Sequence, residues 1–253
     1  MKISELLQKD KEALCGKPLK EKLIHIWEYY KWYMLAVFLG ICFIFSLISS
    51  NIENNNIILN GAFLNTTAYA SEAIAFEQDF MSSCQLDPEK QLVVFDTSLY
   101  YRSDPDPADG TAYYETLETL IVRAHSSDID VLVTDSDPVN ILIYNEFFMD
   151  LSQVLTAEQF EAYQPYFLYI DNAFLQRILS ADLSSLNPDI VLRYPDATKP
   201  ELMEEPIPVL IDISTSNKIQ KLYSGTNNQL VFGFISNCRH PETAGQFLDY
   251  LMK

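Results

Sequence analysis

The stretch Asp128-Ile-Asp-Val-Leu-Val-Thr-Asp-Ser-Asp-Pro138 joins a strand-like run to a helix start. Its segment Asp130–Thr134 is short and rich in β-branched residues, which is typical of a buried strand. Asp137 followed by Pro138 has the pattern of a helix N-cap with proline at the first helical position. The stretch therefore predicts a buried strand that ends in small polar residues and leads into a helix through Phe147.

The same alternation extends toward the N-terminus. Two more short apolar runs, Ile57–Leu64 and Gln91–Leu99, are flanked by turn residues and are strand candidates. Helix-patterned segments at Ser71–Cys84 and Thr111–Ala124 separate the three runs. Strands that alternate with helices in this way predict an α/β fold with a parallel, doubly wound sheet.

More elements are expected toward the C-terminus. Thr156-Ala-Glu-Gln159 matches a capping box and predicts a short helix to Tyr163. Leu168–Ser180 is ambiguous in pattern, and we interpret it as helical from Asn172. The remaining candidates are strands at Ile190–Arg193, Pro208–Ile213 and Leu230–Ile235, a short helix at Ser216–Leu222, and a last helix from Pro241. Together these elements are enough for one good hydrophobic core.

Three segments resemble bacterial extracellular solute-binding proteins, the substrate-binding proteins of ABC transporters with a type 2 periplasmic-binding-protein-like fold. They are Asp128–Pro138 continuing into Asn145–Leu155, the closing segment Val231–Leu251, and Pro208–Ser214, which fits membrane-anchored members from Firmicutes. The resemblance implies a small-molecule ligand held between two lobes and an ABC transporter permease as partner. The chain between Leu155 and the closing segment is short for a complete second lobe, so we expect a reduced one.

A long uncharged stretch, residues 32–52, lies between Lys31 and Glu53. At a helical rise of about 1.5 Å per residue it spans roughly 30 Å, the thickness of the bilayer hydrocarbon. We predict an uncleaved transmembrane signal anchor here. A cleaved signal peptide is the alternative, although no A-x-A site follows the apolar run.

Charge predicts the orientation of this span. Seven lysines lie in residues 1–31, and no basic residue follows until Lys90. Basic residues close to a span stay in the cytoplasm, so the N-terminus should be inside. We therefore expect a basic amphipathic cytoplasmic segment at residues 1–31 and an extracytoplasmic domain at residues 57–253, in a single-pass protein of a Gram-positive-type cell membrane.

The outer domain is strongly acidic. Of 17 basic residues 10 lie beyond residue 31, and of 35 acidic residues 30 do, which leaves a net charge of about −20 on the outer part. This balance argues against nucleic acid and against adhesion to anionic lipid as partners. Solubility explains it, and a cationic partner is the alternative.

Catalytic signatures are missing from the sequence. His125 and His240 belong to no H-E-x-x-H pattern, and the seven glycines form no G-x-G-x-x-G or G-x-S-x-G motif. We therefore expect no enzymatic activity, no cofactor and no metal site. Cys84 and Cys238 could form one disulfide or remain two free thiols.

Candidate ligand-binding residues follow from the predicted sheet. In open α/β sheets, ligands bind beyond the carboxyl ends of the strands. The residues at those positions are Asn65 and Thr66 after the first strand, Thr97 after the second, and Thr134, Asp135 and Ser136 after the third. Ordinary turn chemistry and helix capping are the alternative explanation of these polar residues.

Two functions from different classes remain open. The first is a membrane-anchored solute-binding-like protein that binds a small molecule or sugar for transport or sensing. The alternative is a degenerate binding-protein domain that acts as a protein–protein interaction module in a cell-envelope assembly, without a small ligand. An exported enzyme of unrecognised type is a third, less supported hypothesis.

Overall fold

The computed structural model describes residues 18, 20, 27, 31–32, 34–46, 57–102, 112–136, 138–180, 195–224 and 228–253. The chain divides into two compact units, residues 1–55 and residues 56–253. Most of the predicted cytoplasmic segment, and residues 33 and 47–52 of the predicted span, lie outside the described residues.

In the first unit, residues 34–46 are helical. Their large apolar side chains are exposed, with Phe43 at 66% and Phe45 at 71%. Within the part of the chain that the structure describes, no helix is both long enough and apolar enough to cross a bilayer.

The second unit contains a mixed six-stranded sheet in the order β2-β1-β3-β6-β5-β4. Its strands are β1 (Ile57–Leu64), β2 (Leu92–Leu99), β3 (Val131–Asp135), β4 (Phe167–Asp171), β5 (Pro206–Asp212) and β6 (Leu230–Phe234). The helices are α1 (Ala70–Ser83), α2 (Ala112–His125), α3 (Val139–Tyr144), α4 (Leu151–Val154), α5 (Ala157–Tyr163), α6 (Asn172–Ser180) and α7 (Pro241–Met252). Short 3₁₀ helices lie at Gln164–Tyr166, Pro200–Leu202 and Ile219–Lys221.

The expectation of a parallel sheet is correct for two of the five strand pairs. β1 pairs in parallel with β2 and β3, whereas β6 is antiparallel to β3, β5 to β6, and β4 to β5. The reason is local: Asp135 at the carboxyl end of β3 pairs with Leu230 at the start of β6. β5 also ends at this edge of the sheet. The chain therefore enters β6 there, and β6 runs in the direction opposite to β3 and β5.

The strand β4 was not recognised from the sequence. It occupies Phe167–Asp171, and α6 follows directly at Asn172, where the sequence predicts the helix. β4 joins the same sheet as β1–β3, so all six described strands lie in one sheet, and none of the described residues forms a separate sheet for a second lobe. The strand candidate Ile190–Arg193 and the cap Asp137 lie outside the described residues.

Other local predictions agree with the structure. The Thr156–Gln159 capping box opens α5, with the Gln159 main-chain N–H donating to the Thr156 hydroxyl at 3.2 Å. The helix after β3 ends at Tyr144, earlier than expected, and Glu146 follows with φ 50°. A non-glycine residue in this left-handed region interrupts a right-handed helix.

Helices cover both faces of the sheet. Alternate residues of β1 point to opposite faces. Leu59 and Phe63 pack in a cluster with aromatic residues of α1 and α7, whereas Ala62 and Leu64 pack with Leu120 of α2 and other residues of that face. The first cluster contains the rings of Phe63, Phe76, Phe80, Phe95, Phe247 and Tyr250, with centroids 4.9–6.3 Å apart. This aromatic cluster holds α1 and α7 side by side against the sheet.

Candidate functional site

The closed edge is the set of residues Asn65, Thr134, Asp135, Tyr223 and Asn228, where β1 and β3 end side by side. The Asp135 side chain is buried, and its Oδ1 accepts a hydrogen bond from Asn65 Nδ2 at 3.0 Å. Its Oδ2 accepts one from Asn228 Nδ2, also at 3.0 Å. Each carboxylate oxygen therefore already has a donor from within the chain.

Tyr223 fills the space behind this carboxylate. The residue is buried, and its hydroxyl donates to the Val133 carbonyl oxygen at 3.0 Å. Burial raises the pKa of the Tyr223 hydroxyl well above its ordinary value, and the negative charge of Asp135 raises it further. The hydroxyl of Thr134 is also buried, and no described residue forms a hydrogen bond with it. The edge predicted to face a ligand is therefore occupied by the protein's own side chains.

The structure brings some of the predicted ligand residues together and separates others. Asn65 and Asp135 are hydrogen-bonded, and Ser136 next to them is exposed. Thr66 donates its hydroxyl proton to the Leu222 carbonyl oxygen at 2.6 Å. Thr97 lies inside β2 instead of after it, and β1 separates it from β3. Whether any of these residues contacts a ligand stays a prediction.

Residues 216–222, which follow β5 and include the 3₁₀ turn Ile219–Lys221, are anchored at both ends. The Ser216 hydroxyl donates to the Leu251 carbonyl oxygen of α7 at 2.6 Å in a buried hydrogen bond. At the other end, the Leu222 carbonyl oxygen accepts from the Thr66 hydroxyl and from the Thr67 main-chain N–H at 3.0 Å. The 3₁₀ turn between these two anchors is therefore held against both the loop after β1 and helix α7.

A charged pocket lies between this turn, α1 and α7. Its volume is about 300 Å³, and it is lined by Glu72, Ala75, Phe76, Asp79, Lys218, Lys221, Leu222 and Tyr250. Two carboxylates come from α1 and two ammonium groups from Lys218 and the turn after it, and the other lining residues are aromatic or aliphatic. The pocket thus combines both signs of charge with an apolar lining, which is the usual composition of a small-molecule site.

Helical periodicity places the carboxylates on one face of α1. Glu72, Phe76 and Asp79 follow the i, i+4, i+7 spacing of a single helix face. Glu72 is also part of the helix cap, because its Oε2 accepts from the Tyr69 main-chain N–H at 2.7 Å. The carboxylate of Glu72 is therefore held near the start of α1, one turn from Phe76.

The two lysines reach the pocket from the turn. Lys218 comes just before the 3₁₀ helix Ile219–Lys221 and Lys221 is its last residue, and both side chains line the pocket. The Lys218 Nζ lies 3.6 Å from the centroid of the Tyr250 ring, in a cation–π contact. Among the described residues, neither lysine has a carboxylate oxygen within 4.0 Å, whereas Lys90 and Lys199 are both in ion pairs.

Tyr250 connects the two sides of the pocket. Its hydroxyl donates to Asp79 Oδ2 at 2.5 Å, and its ring lies beneath the Lys218 ammonium group. Burial raises the pKa of the Tyr250 hydroxyl, and its hydrogen bond to Asp79 raises it further. The tyrosine therefore stays protonated and fixes the position of the Asp79 carboxylate.

A second cavity system, the apolar groove, lies over β4 and β5. Ile143, Phe148, Ile170, Ile207 and Val209 line a part of about 180 Å³, together with Glu146, Phe147, Asp150, Asn172 and Leu175. A smaller adjoining part of about 80 Å³ shares Ile143, Ile170 and Val209. The ionisable groups that line the two parts, within the described residues, are the carboxyl groups of Glu146, Asp150 and Asp171 and the phenol of Tyr169.

At the opposite end of β3, Asp130 organises the start of α7. Its carboxylate accepts from the main-chain N–H groups of Asn60, Arg239 and His240, at 2.8, 2.8 and 3.0 Å. The His240 ring nitrogen Nδ1 lies 3.0 Å from Asp130 Oδ2, so the imidazole is part of a structural network. The thiol of Cys238 points to the same carboxylate at 3.5 Å, and burial raises its pKa to about 12, which disfavours the nucleophilic thiolate.

Cys84 and Cys238 are both free thiols, which decides between the two alternatives left by the sequence. Within the described ranges, no three His, Cys, Asp or Glu side chains are grouped so that they could hold a metal ion.

Sequence reasoning missed the residues of the charged pocket. Glu72 and Asp79 carry a weak signal, because they share a helix face with the core residue Phe76. The spacing of Lys218 and Lys221 is a second weak signal. No local pattern shows that these two pairs converge, because 138 residues separate the two segments and tertiary packing brings them together.

Comparisons with known proteins give no family assignment. No protein-family model matches the chain, and no curated protein matches it in sequence. One solved structure similar to it is the substrate-binding domain assigned to a molybdenum ABC transporter from Clostridium difficile, at 12% identity and a TM-score of 0.31, over 78% of this chain and 93% of that one. Another is the periplasmic binding protein AgtB from A. tumefaciens R10, solved with agropinic acid, at 10% identity and a TM-score of 0.31, over 76% and 77% of the two chains. Function is therefore inferred below from this chain's own side chains.

Proposed function

We propose that this chain is a membrane-anchored, extracytoplasmic solute-binding-like protein that binds a small molecule in the charged pocket, for transport or sensing. The observation that carries this proposal is the pocket itself. It has about 300 Å³ of space, opposite charges on two walls, and two lysines without carboxylate partners among the described residues. The cavity has the size and mixed lining of a small-molecule site, and its polar groups converge on one space.

We propose a site of binding other than the one that the sequence predicts. At the closed edge, the carboxylate of Asp135 is already satisfied by Asn65 and Asn228. A ligand there would have to displace hydrogen bonds that the chain makes with itself, which lowers the net gain on binding. The charged pocket presents no such competition at Lys218 and Lys221, so we assign binding to it.

A thermal-shift screen of the full-length protein in detergent tests this function. The solutes are sugars, amino acids, short peptides and polyamines, each titrated to saturation. A ligand at about 100 times its Kd stabilises a protein by about 2.7 kcal/mol, which for a domain of this size is a shift of roughly 5–10 °C in Tm. A flat response to every solute class would contradict the proposal.

Membrane anchoring is part of the same proposal and is supported by the uncharged residues 32–52 and the one-sided lysines before them. We expect the protein to remain in the membrane fraction after alkaline carbonate extraction. A protease added outside intact cells should remove residues 57–253. Recovery of the protein in the soluble fraction would contradict the anchor.

A second candidate function is an interaction module in an envelope assembly. The specific observation that favours it is the apolar groove, whose described lining holds three carboxyl groups and no lysine, arginine or histidine. A photo-crosslinking residue at Ile207, inside the groove, should then capture an envelope protein in living cells. The same residue at Val122, which is 65% exposed on α2, is the matched control. Equal crosslinking at both positions would argue against a specific partner.

A further inference from the structure

We propose that the charged pocket takes a zwitterion, an α-amino acid with an apolar or aromatic side chain. The ligand's carboxylate binds between Lys218 and Lys221, and its ammonium group faces Asp79 and Glu72. This inference rests on the proposed function and names the class of its solute.

The first support is that neither Lys218 nor Lys221 forms an ion pair with a described residue. Four other basic residues of the described outer domain, Lys90, Arg123, Arg177 and Lys199, each have a carboxylate within 4.0 Å. Lys218 and Lys221 have none among the described residues, although 30 acidic residues lie beyond residue 31. In so acidic a domain, two ammonium groups that share a cavity and lack an ion pair are free to bind an anionic group.

The second support is that the carboxylates of Asp79 and Glu72 can each accept more hydrogen bonds than they do in the structure. Each ionised carboxylate offers about four acceptor sites. Asp79 uses one oxygen for the Tyr250 hydroxyl, and Glu72 uses one for the Tyr69 main-chain N–H. Both can therefore accept further hydrogen bonds, and an ammonium group supplies three donors.

The third support is the balance of charge. Two carboxylates and two ammonium groups give the pocket a formal charge of zero. A simple anion would meet the field of a domain that carries about −20, which opposes its approach. A simple cation would meet the two lysines. A zwitterion has no net charge. Its carboxylate can pair with the two lysines, and its ammonium group can pair with the two carboxylates of the pocket.

The fourth support is the lining between the charged walls. Ala75 is exposed in this lining, and the small exposed parts of Phe76, Leu222 and Tyr250, each less than 10% exposed, are the other apolar groups there. Apolar contact area is what would bind a hydrophobic side chain once the two charged poles fix its orientation. This lining favours a side chain such as phenylalanine or leucine over a short polar one.

The fifth support is the rigidity of the lysine-bearing turn. Ser216 ties one end to Leu251, and Leu222 is tied to Thr66 and Thr67 at the other. The Lys218 ammonium group is also held over the Tyr250 ring. Groups fixed before the ligand arrives lose less conformational entropy on binding, so the site is preorganised.

The experiment is isothermal titration calorimetry on the full-length protein in detergent with three matched probes. L-Phenylalanine carries both poles, 3-phenylpropionate lacks the ammonium group, and phenethylamine lacks the carboxylate. We expect saturable binding of L-phenylalanine, with the other two weaker by about tenfold or more each, as the loss of a charge-assisted contact implies. Equal affinity for the three probes would overturn the assignment of the two poles.

Variants locate the binding in the pocket. Lys218→Ala and Lys221→Ala should each raise the Kd for L-phenylalanine about tenfold or more. Lys90→Ala is the matched control, because Lys90 is an exposed lysine paired with Asp87 outside the pocket. An unchanged Kd in both pocket variants, or the same loss in Lys90→Ala, would overturn the assignment of the site.

The result also separates this inference from the proposed function. If a sugar or a polyamine raises the Tm while L-phenylalanine and L-leucine do not bind, the zwitterion inference is wrong and the solute-binding function stands. If no solute binds in either experiment, both are wrong.

Discussion

The closed edge and the charged pocket lie close together, but the charge of Asp135 at the edge is paired within the chain, whereas the charges of Lys218 and Lys221 in the pocket are not paired with a described carboxylate. At the closed edge, Asp135 is buried and both of its oxygens accept hydrogen bonds from within the chain. In the pocket, Lys218 and Lys221 line open space and have no carboxylate partner among the described residues. Polar groups that satisfy one another contribute to folding, whereas groups left unpaired around a cavity are free to bind something else.

This contrast predicts a separation of stability from binding. Substitutions at the closed edge should lower the free energy of unfolding, and substitutions of the pocket lysines should lower affinity with little effect on folding. The four tests below run from the largest expected effect on stability to the smallest.

The largest effect should come from Asp135→Ala. The substitution leaves the side-chain amides of Asn65 and Asn228 without their acceptor, and hydrogen bonds to charged groups contribute about 1.5–3 kcal/mol each. We expect the free energy of unfolding to fall by about 3 kcal/mol, or roughly 6–12 °C in Tm. Ser136→Ala, at the exposed neighbour, is the control and should stay within about 0.5 kcal/mol of the wild type. An Asp135→Ala protein as stable as this control would break the comparison.

Tyr223→Phe should have an intermediate effect. It keeps the buried ring and removes the hydroxyl that donates to the Val133 carbonyl oxygen. A lost buried hydrogen bond that leaves one partner unsatisfied costs about 1–2 kcal/mol. Thermal melts of this variant should be compared with those of Tyr69→Phe, because Tyr69 is 78% exposed. Equal Tm values in the two variants would show that the hydroxyl does not stabilise the edge.

Alkaline pH should destabilise the domain through the same tyrosine. The folded state raises the pKa of Tyr223 above its ordinary value of 10.0, so the folded protein holds this proton more tightly than the unfolded chain does. Its contribution is complete below pH 10 and is lost as the pH rises above that value, at about 1.4 kcal/mol per pH unit. Tm measured from pH 9 to 11 should fall less steeply in Tyr223→Phe. If Tm falls with pH equally in the wild type and in Tyr223→Phe, the raised pKa of Tyr223 is contradicted.

The smallest effect on stability should come from the pocket lysines. Lys218→Ala removes a cation–π contact worth about 0.5–1 kcal/mol, and Lys221→Ala should change stability by less than about 0.5 kcal/mol. The measurement is Tm without ligand, beside the calorimetric Kd described above. A loss of stability as large as that of Asp135→Ala would mean that the lysines are structural, and the contrast between the two regions would disappear.

The local elements were the most predictable part of the fold. The run Asp130–Thr134 gave a buried strand, and the Thr156–Gln159 capping box gave the start of α5. Both depend on interactions within a few residues, which a sequence displays directly. The strand β4 was missed because its five residues are held in a strand by pairing with β5, which lies far along the chain.

The candidate site was less predictable for the same reason. The rule that ligands bind beyond strand ends correctly brings Asn65 and Asp135 together. It does not reveal that Tyr223 and Asn228 arrive from the segment after β5 and occupy that edge. The pairing of Lys218 with Tyr250 likewise depends on how the turn is fixed to α7.

The sequence by itself determined the alternation of strands and helices, the net acidic charge beyond residue 31 and the uncharged residues 32–52, because periodicity and charge are local or additive properties. Only the tertiary structure decided that β4 and β6 run opposite to the other strands, that Asn65 and Asn228 hydrogen-bond Asp135, and that a pocket forms beside them. Each of these depends on contacts between residues far apart in sequence. Such contacts form only when the apolar faces of α1, α7 and the sheet are buried together.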